Sequence, residues 1–225
     1  MAAEVQDGVS LAVSTVIFAL RSDGDDAGAS LRVPLVRRIR EPFQGRWALP
    51  GGPIGRRESL AEAARRSLLE TTHLTPTYLE QLYAFGEADR APGDRVVSIV
   101  YWALVRPDEA DQAAGENVRW FAEGELPDLA FDHDRIIDYA LRRLRTKLEY
   151  SRIAHAFLGE TFTLAELRQV HEAVLQKQLD PANFRRQIES ANAVVPTGGV
   201  RLGGRNRPPR LYRYNAGAGD PNATP

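Results

Sequence analysis

The amino-acid sequence predicts an α+β protein of two units, a sandwich on a mixed sheet followed by a smaller helical unit that closes on a two-stranded ribbon. Three observations lead there. Runs rich in β-branched residues, VSLAVSTVIFAL at 9–20 and VVSIVYWALV at 96–105, stand either side of one capped helix. From residue 134 the apolar period turns helical, and two more capped helices follow. The charge also changes sign along the chain. Residues 1–149 hold 19 Lys and Arg against 24 Asp and Glu, a net -5, and residues 150–225 hold 10 against 6, a net +4. The expected boundaries are 1–148 for the first domain, 149–216 for the second and 217–225 for a disordered tail.

The elements follow in order. A strand at 9–20 and another at 31–39 (LRVPLVRRI) enclose the polar loop SDGDDAGAS. Ser59 and Glu62 form an S-x-x-E capping box that opens a helix at 60–72. Leu60, Ala63, Ala64 and Leu68 recur along it as a buried stripe, and the other face carries Glu62, Arg66, Glu70, Ser67 and Thr71. Strands at 78–85 and 96–105 are parted by the turn-rich EADRAPGD, and a short one stands at 117–121. A helix over 134–158 then joins the two halves, with Ile136, Ile137, Ala140, Leu141, Leu144 and Leu148 on one side. Thr163 and Glu166 make a second capping box for a helix to 176. Asp180 as N-cap and Pro181 at the first position open the next helix. After PTGG, VRLGGRNRPPRLYRYN reads as a ribbon around an Arg-studded tip.

Composition excludes several classes. With 43% hydrophobic and 26% charged residues the chain reads as soluble and globular, and no apolar run approaches the roughly 20 residues of a membrane span. No basic segment leads into an apolar one at the N-terminus, so no secretory signal is expected. The absence of Cys removes disulfides, a thiol nucleophile and a Cys-type zinc site, and the expected location is cytoplasmic. Between 180 and 213, Arg185, Arg186, Arg201, Arg205, Arg207, Arg210 and Arg213 stand against only Asp180 and Glu189, with no Lys. A planar guanidinium suits phosphate and guanine better than an ammonium does.

The first chemical constellation is WALPGGPIGRRESLAEAARRSLLETTHL at 47–74. Gly52, Glu58, Arg66, Leu68, Glu70 and Leu74 are spaced so that the stretch resembles the Nudix box, G-x5-E-x7-R-E-U-x-E-E-x-G-U. The resemblance implies a Nudix-like α/β/α sandwich, in whose family the glutamates after the Arg hold Mg²⁺ for pyrophosphate hydrolysis. Mg²⁺ demands hard oxygen ligands in near-octahedral array, and positions 67, 70 and 71 share one helix face. Here Ser67 and Thr71 replace two of the acids and His73 the late glycine. The expectation is therefore a domain with no catalytic residues, no bound metal and no required cofactor, which binds a diphosphate without cleaving it. Arg37, Arg38, Arg46, Gly51, Gly52, Arg57 and Glu70 form the expected ligand-binding set, with Arg56 beside them, and Trp47 is assigned to the core. The alternative is an active pyrophosphohydrolase on ADP-ribose with an accessory nucleic-acid or protein binding module.

The second constellation, two capped helices and an Arg-tipped ribbon, is a winged helix-turn-helix signal. Asn183, Arg185, Arg186 and Gln187 are expected to face base edges. Thr163, Arg201, Arg205, Arg207, Arg210 and Tyr212 are expected to contact the DNA from the helix end and the wing. Phe184 and Ile188 anchor the helix. LAFDHDRIIDYALRRLRTKLEYS, FTLAELRQVHEAVLQKQLDPANFRRQIE and RPPRLYRYN extend the likeness over nearly the whole chain, which resembles the Nudix-related transcriptional regulators of the NrtR type. That resemblance implies a repressor of NAD biosynthesis or salvage genes. It further implies a homodimer on a pseudo-palindromic double-stranded DNA operator, released by ADP-ribose or a related nucleotide.

Overall fold

The structure, a computed structural model, describes residues 8–21, 29–111, 115, 117–150, 153–202 and 208–215. The chain divides into two compact units: residues 1–19 with 32–141, and residues 20–31 with 142–225.

The first unit is built on a mixed sheet. Its strands are β1 (Ser10–Arg21), β2 (Ser30–Arg37), β3 (Trp47–Ala48), β4 (Gly51–Pro53), β5 (Tyr78–Phe85), β6 (Val96–Val105) and β7 (Val118–Ala122). The order is β3-β2-β1-β6-β5, with β4 on β1 and β7 on β2. β1 and β6 run parallel from Ser10 opposite Val96 to Ala19 opposite Val105, and the remaining registered pairs are antiparallel. Parallel neighbours buried on both faces should read as continuous apolar runs, and Val16–Ala19 and Val100–Val105 do.

Helix α1 (Leu60–Thr72) starts where the sequence places it because both ends are locally fixed. The Ser59 hydroxyl accepts from Glu62 N–H at 3.3 Å, and the Glu62 carboxylate accepts from Ser59 N–H at 2.7 Å. Ala64 and Leu68 pack toward Ile99, Tyr101 and Ala103 of β6. A short helix α2 (Pro107–Ala110) follows β6. Helix α3 (His133–Tyr150) stops short of the expected 134–158, and Ile153–Phe157 is a separate 3-10 turn burying Ile153, Ala154 and Phe157. The reason is in the stripe: continued by three or four residues from Leu148 it reaches Ser151 and Arg152, which are polar.

In the second unit lie α4 (Leu164–Leu175), α5 (Pro181–Ser190), β8 (Val194–Val200) and β9 (Arg210–Tyr214). Phe157, Phe162, Leu167, Val170, Val174 and Phe184 form its core. The ribbon begins before PTGG and not after it. Pro196–Gly199 lie inside β8, where the register shifts between Pro196 and Val200 and Gly198 adopts φ +82°, a bulge geometry that glycine tolerates. Arg205, Arg207 and the tail at 217–225 lie outside the described residues. No helix among the described residues is long and apolar enough to cross a membrane.

Candidate functional site

Gly51 and Gly52 open β4, which runs antiparallel to β1 with Gly51 opposite Ser14 and Gly52 opposite Val13. A side chain at Gly51 would bring its Cβ to 2.4 Å from the Val13 carbonyl, so this position admits only glycine. Gly52 is not so constrained, its nearest neighbour being Ser67 Oγ at 3.8 Å from a built Cβ. Beside this glycine pair opens a cavity of about 490 Å³, lined among others by Arg37, Arg38, Gly51, Gly52, Glu70 and Thr71. Five of the seven predicted ligand residues thus meet in one place.

The other two do not line it. The Arg46 guanidinium lies over the Phe43 ring at 5.5 Å, and Arg57 is exposed on the turn before α1, as is Arg56. Arg40 and Asn117 line the cavity instead. Arg40 was visible in the run RRIR at 37–40 but falls just past the strand end, and Asn117 is brought by β7, distant in sequence. Trp47 is half-buried, edge-on to Phe121 at 5.1 Å.

The Nudix-box acids are committed to Arg66. Its Nε and Nη2 donate to Glu58 at 3.0 and 2.8 Å, Nη1 to Glu70 at 3.1 Å, and Nη2 also to the Pro53 carbonyl at 3.0 Å. These hydrogen bonds, with another from Gly55 N–H, hold the Glu58 carboxyl down at about 2. Ser67 is 3% exposed, and the Thr71 hydroxyl donates to the Ser67 carbonyl at 2.6 Å, the back-bonding habit of Thr inside a helix. A divalent ion of the kind this box serves needs converging carboxylates. One carboxylate, already hydrogen-bonded to Arg66, beside two hydroxyls does not fit such an ion. His73 takes the box's glycine position as a left-handed C-cap with φ +59°, donating its N–H to the Leu69 carbonyl at 3.1 Å.

In the second unit a groove of about 380 Å³ is lined by Thr163, Arg185, Arg210 and Tyr212 together with Pro208 and Pro209. Arg185 is exposed on α5 and paired with Glu189 at 2.9 Å. Arg186 donates to Asn183, and Asn183, Arg186 and Gln187 are all solvent-facing, whereas Phe184 is buried. Two residues expected at the DNA line this groove but are nearly buried. Tyr212 is only 6% exposed, its backbone bridging Phe162, and Thr163 is 5% exposed with its hydroxyl accepting from Glu166 N–H at 3.2 Å. An aromatic ring here completes the core, and a cap hydroxyl satisfies a helix end. Arg201 is exposed, but its Nη2 donates to both Glu166 oxygens at 2.9 Å, tying the end of β8 to the cap of α4.

Comparison with known proteins bears on both parts. Residues 11–142 match the profile of the NUDIX domain, and residues 154–214 that of the NrtR DNA-binding winged helix domain. Over 190 residues the chain is 34% identical to the ADPR responsive transcriptional repressor NtrR of Acinetobacter baylyi, spanning 82% of this chain and 76% of that one. The chain belongs to the NrtR family of Nudix-related transcriptional regulators. A crystal structure of Shewanella oneidensis NrtR complexed with a 27mer DNA shares 36% identity, with a TM-score of 0.76 over 91% of this chain and 93% of that one. The NUDIX domain of the same NrtR, complexed with ADP ribose, shares 32% identity and a TM-score of 0.52 over 64% of this chain and 94% of that one. Membership of the NrtR family accounts for a pocket and a winged helix on one chain, and for its mainly regulatory character.

Proposed function

We propose that the chain is a DNA-binding repressor whose pocket takes ADP-ribose, or a related NAD-derived nucleotide, as effector and does not hydrolyse it. Residues 1–148 form the effector domain and 149–216 the DNA-binding domain. The protein acts in the cytoplasm as a homodimer on a pseudo-palindromic operator of NAD biosynthesis or salvage genes. The observation that carries the effector reading is the pairing of three arginines, Arg37, Arg38 and Arg40, with a single carboxylate, Glu70, around one cavity. Guanidinium groups recognise a diphosphate directly, while a hydrolase would need its charge balanced the other way, by acids that recruit a metal. The ADPR responsive repressor of Acinetobacter and the DNA and ADP ribose complexes of Shewanella NrtR agree with this reading.

Calorimetric titration with ADP-ribose tests it. Binding is expected to be equally tight in EDTA and in Mg²⁺, with no AMP released. Turnover near the roughly 1 s⁻¹ at which ordinary enzymes begin would overturn the non-hydrolytic reading, and absence of binding would overturn the effector reading.

A further inference from the structure

The segment that carries Gly51 and Gly52 into the cavity is held by the short pairing of β3 with β2, by Thr15 N–H donating to the Pro50 carbonyl at 2.8 Å, and by one side chain besides. β3 is two residues long. The Trp47 carbonyl accepts from Ala130 N–H at 2.8 Å, and Trp47 and Leu129 form an isolated parallel bridge. The next inward-facing donor, Leu49 N–H, has no backbone acceptor in that ladder. It donates to Nδ1 of His133 at 2.9 Å. His133 is the first residue of α3, and both Leu49 and the imidazole are buried, Leu49 also lining the cavity.

The imidazole is fixed from several sides. Asp132, the residue before it, takes a bidentate ion pair from Arg90 at 2.6 and 3.0 Å, nearly out of solvent. Phe131 lies 5.4 Å from the imidazole, and over the Phe131 ring, at 4.7 Å, sits the guanidinium of Arg38, which lines the same cavity. Burial pushes His133 down to about 3, so the ring stays neutral, with its proton on Nε2 and its Nδ1 lone pair available to Leu49. Two residues that line the cavity, Arg38 and Leu49, therefore each touch the segment that opens α3.

We propose that His133 is a positioning residue that fastens the loop at 47–52 to the first turn of α3, so that filling the cavity and displacing the head of α3 are a single event. A diphosphate that draws Arg38 off Phe131, or shifts the loop backbone, acts on both ends of the imidazole's surroundings. This rests on the reading of the cavity as an effector site, but the hydrogen bond itself can be tested without any ligand.

The experiment compares the full-length protein with His133→Leu, His133→Gln and His133→Asn. Asn places a carbonyl oxygen close to where Nδ1 stands. Gln carries its acceptor one bond further out and Leu has none. Amide exchange of Leu49, followed by NMR in the free protein, should quicken roughly tenfold in the Leu and Gln variants and stay near wild type in Asn, as expected for one buried hydrogen bond lost or kept. Should the Leu variant fail to fold, the Gln and Asn pair carries the same comparison. The fold change that ADP-ribose produces in operator affinity should fall toward one in Leu and Gln and persist in Asn. Unchanged Leu49 exchange in both Leu and Gln, or a loss in Asn as large as in Gln, overturns the proposal. A wild-type protein that ignores ADP-ribose overturns the effector reading instead, and the exchange comparison still decides the role of His133.

Discussion

His133 is buried, and half-buried His171 packs edge-on to Phe184 at 5.2 Å. Burial lowers both from 6.5, to about 3 and about 4. Since each folded value lies below the unfolded one, the unfolded chain binds more protons between them. The stability these groups contribute is complete above about 6.5 and declines as pH falls toward 4. Glu58 acts in a separate window, because its contribution is present above 4.5 and fades only below that. Urea unfolding should therefore show a loss on going from pH 6.5 to pH 5 that carboxylates do not explain. His171→Phe should remove about 1 kcal/mol of it, a figure reduced for partial exposure. An identical loss in the variant would show that His171 titrates normally. At this scale the residues of the site are unevenly legible in the sequence. Arg37, Arg38 and Glu70 stood out by charge beside a recognisable box. His133 did not, because a lone imidazole ahead of a helix has no spacing to mark it, and its partner is a backbone N–H 84 positions away.

Elements specified by their own neighbours were legible to the residue. α1 spans the 60–72 that its capping box and stripe predict, and β5 and β6 match their runs at 78–85 and 96–105. Elements defined by pairing were not. β3 and β4, two and three residues long, have no period to detect, and β8 takes in a Pro-Thr-Gly-Gly segment that the sequence sets ahead of the ribbon. The end of α1 offers a further test. His73 occupies a left-handed conformation that costs a non-glycine residue on the order of 1 kcal/mol, partly offset by glycine's greater freedom when unfolded. His73→Gly should raise the melting temperature by a degree or more, with the cap hydrogen bond to Leu69 intact. A lowered melting temperature would mean that the imidazole contributes more at this cap than its backbone strain costs.

For the whole molecule, the division of charge was the most informative sequence feature, -5 over residues 1–149 and +4 over 150–225, since it sets an acidic half apart from one whose arginines suit a nucleic-acid backbone. What the sequence could not supply is the strength of any coupling between effector and operator. Thermodynamics constrains it all the same. A ligand bound equally well by the DNA-competent and DNA-free states shifts nothing, so a repressor released by ADP-ribose must bind it more weakly when on the operator. The two effects are one free energy, usually ~1 to 3 kcal/mol, or roughly 5- to 150-fold. Titrating ADP-ribose into free protein and into the operator complex, and operator into protein with and without saturating ADP-ribose, should return the same factor from both directions. Equal ADP-ribose dissociation constants with and without operator would mean that the pocket and the winged helix share a chain but no equilibrium. Whatever bound at Arg37 and Arg38 would then leave repression unchanged.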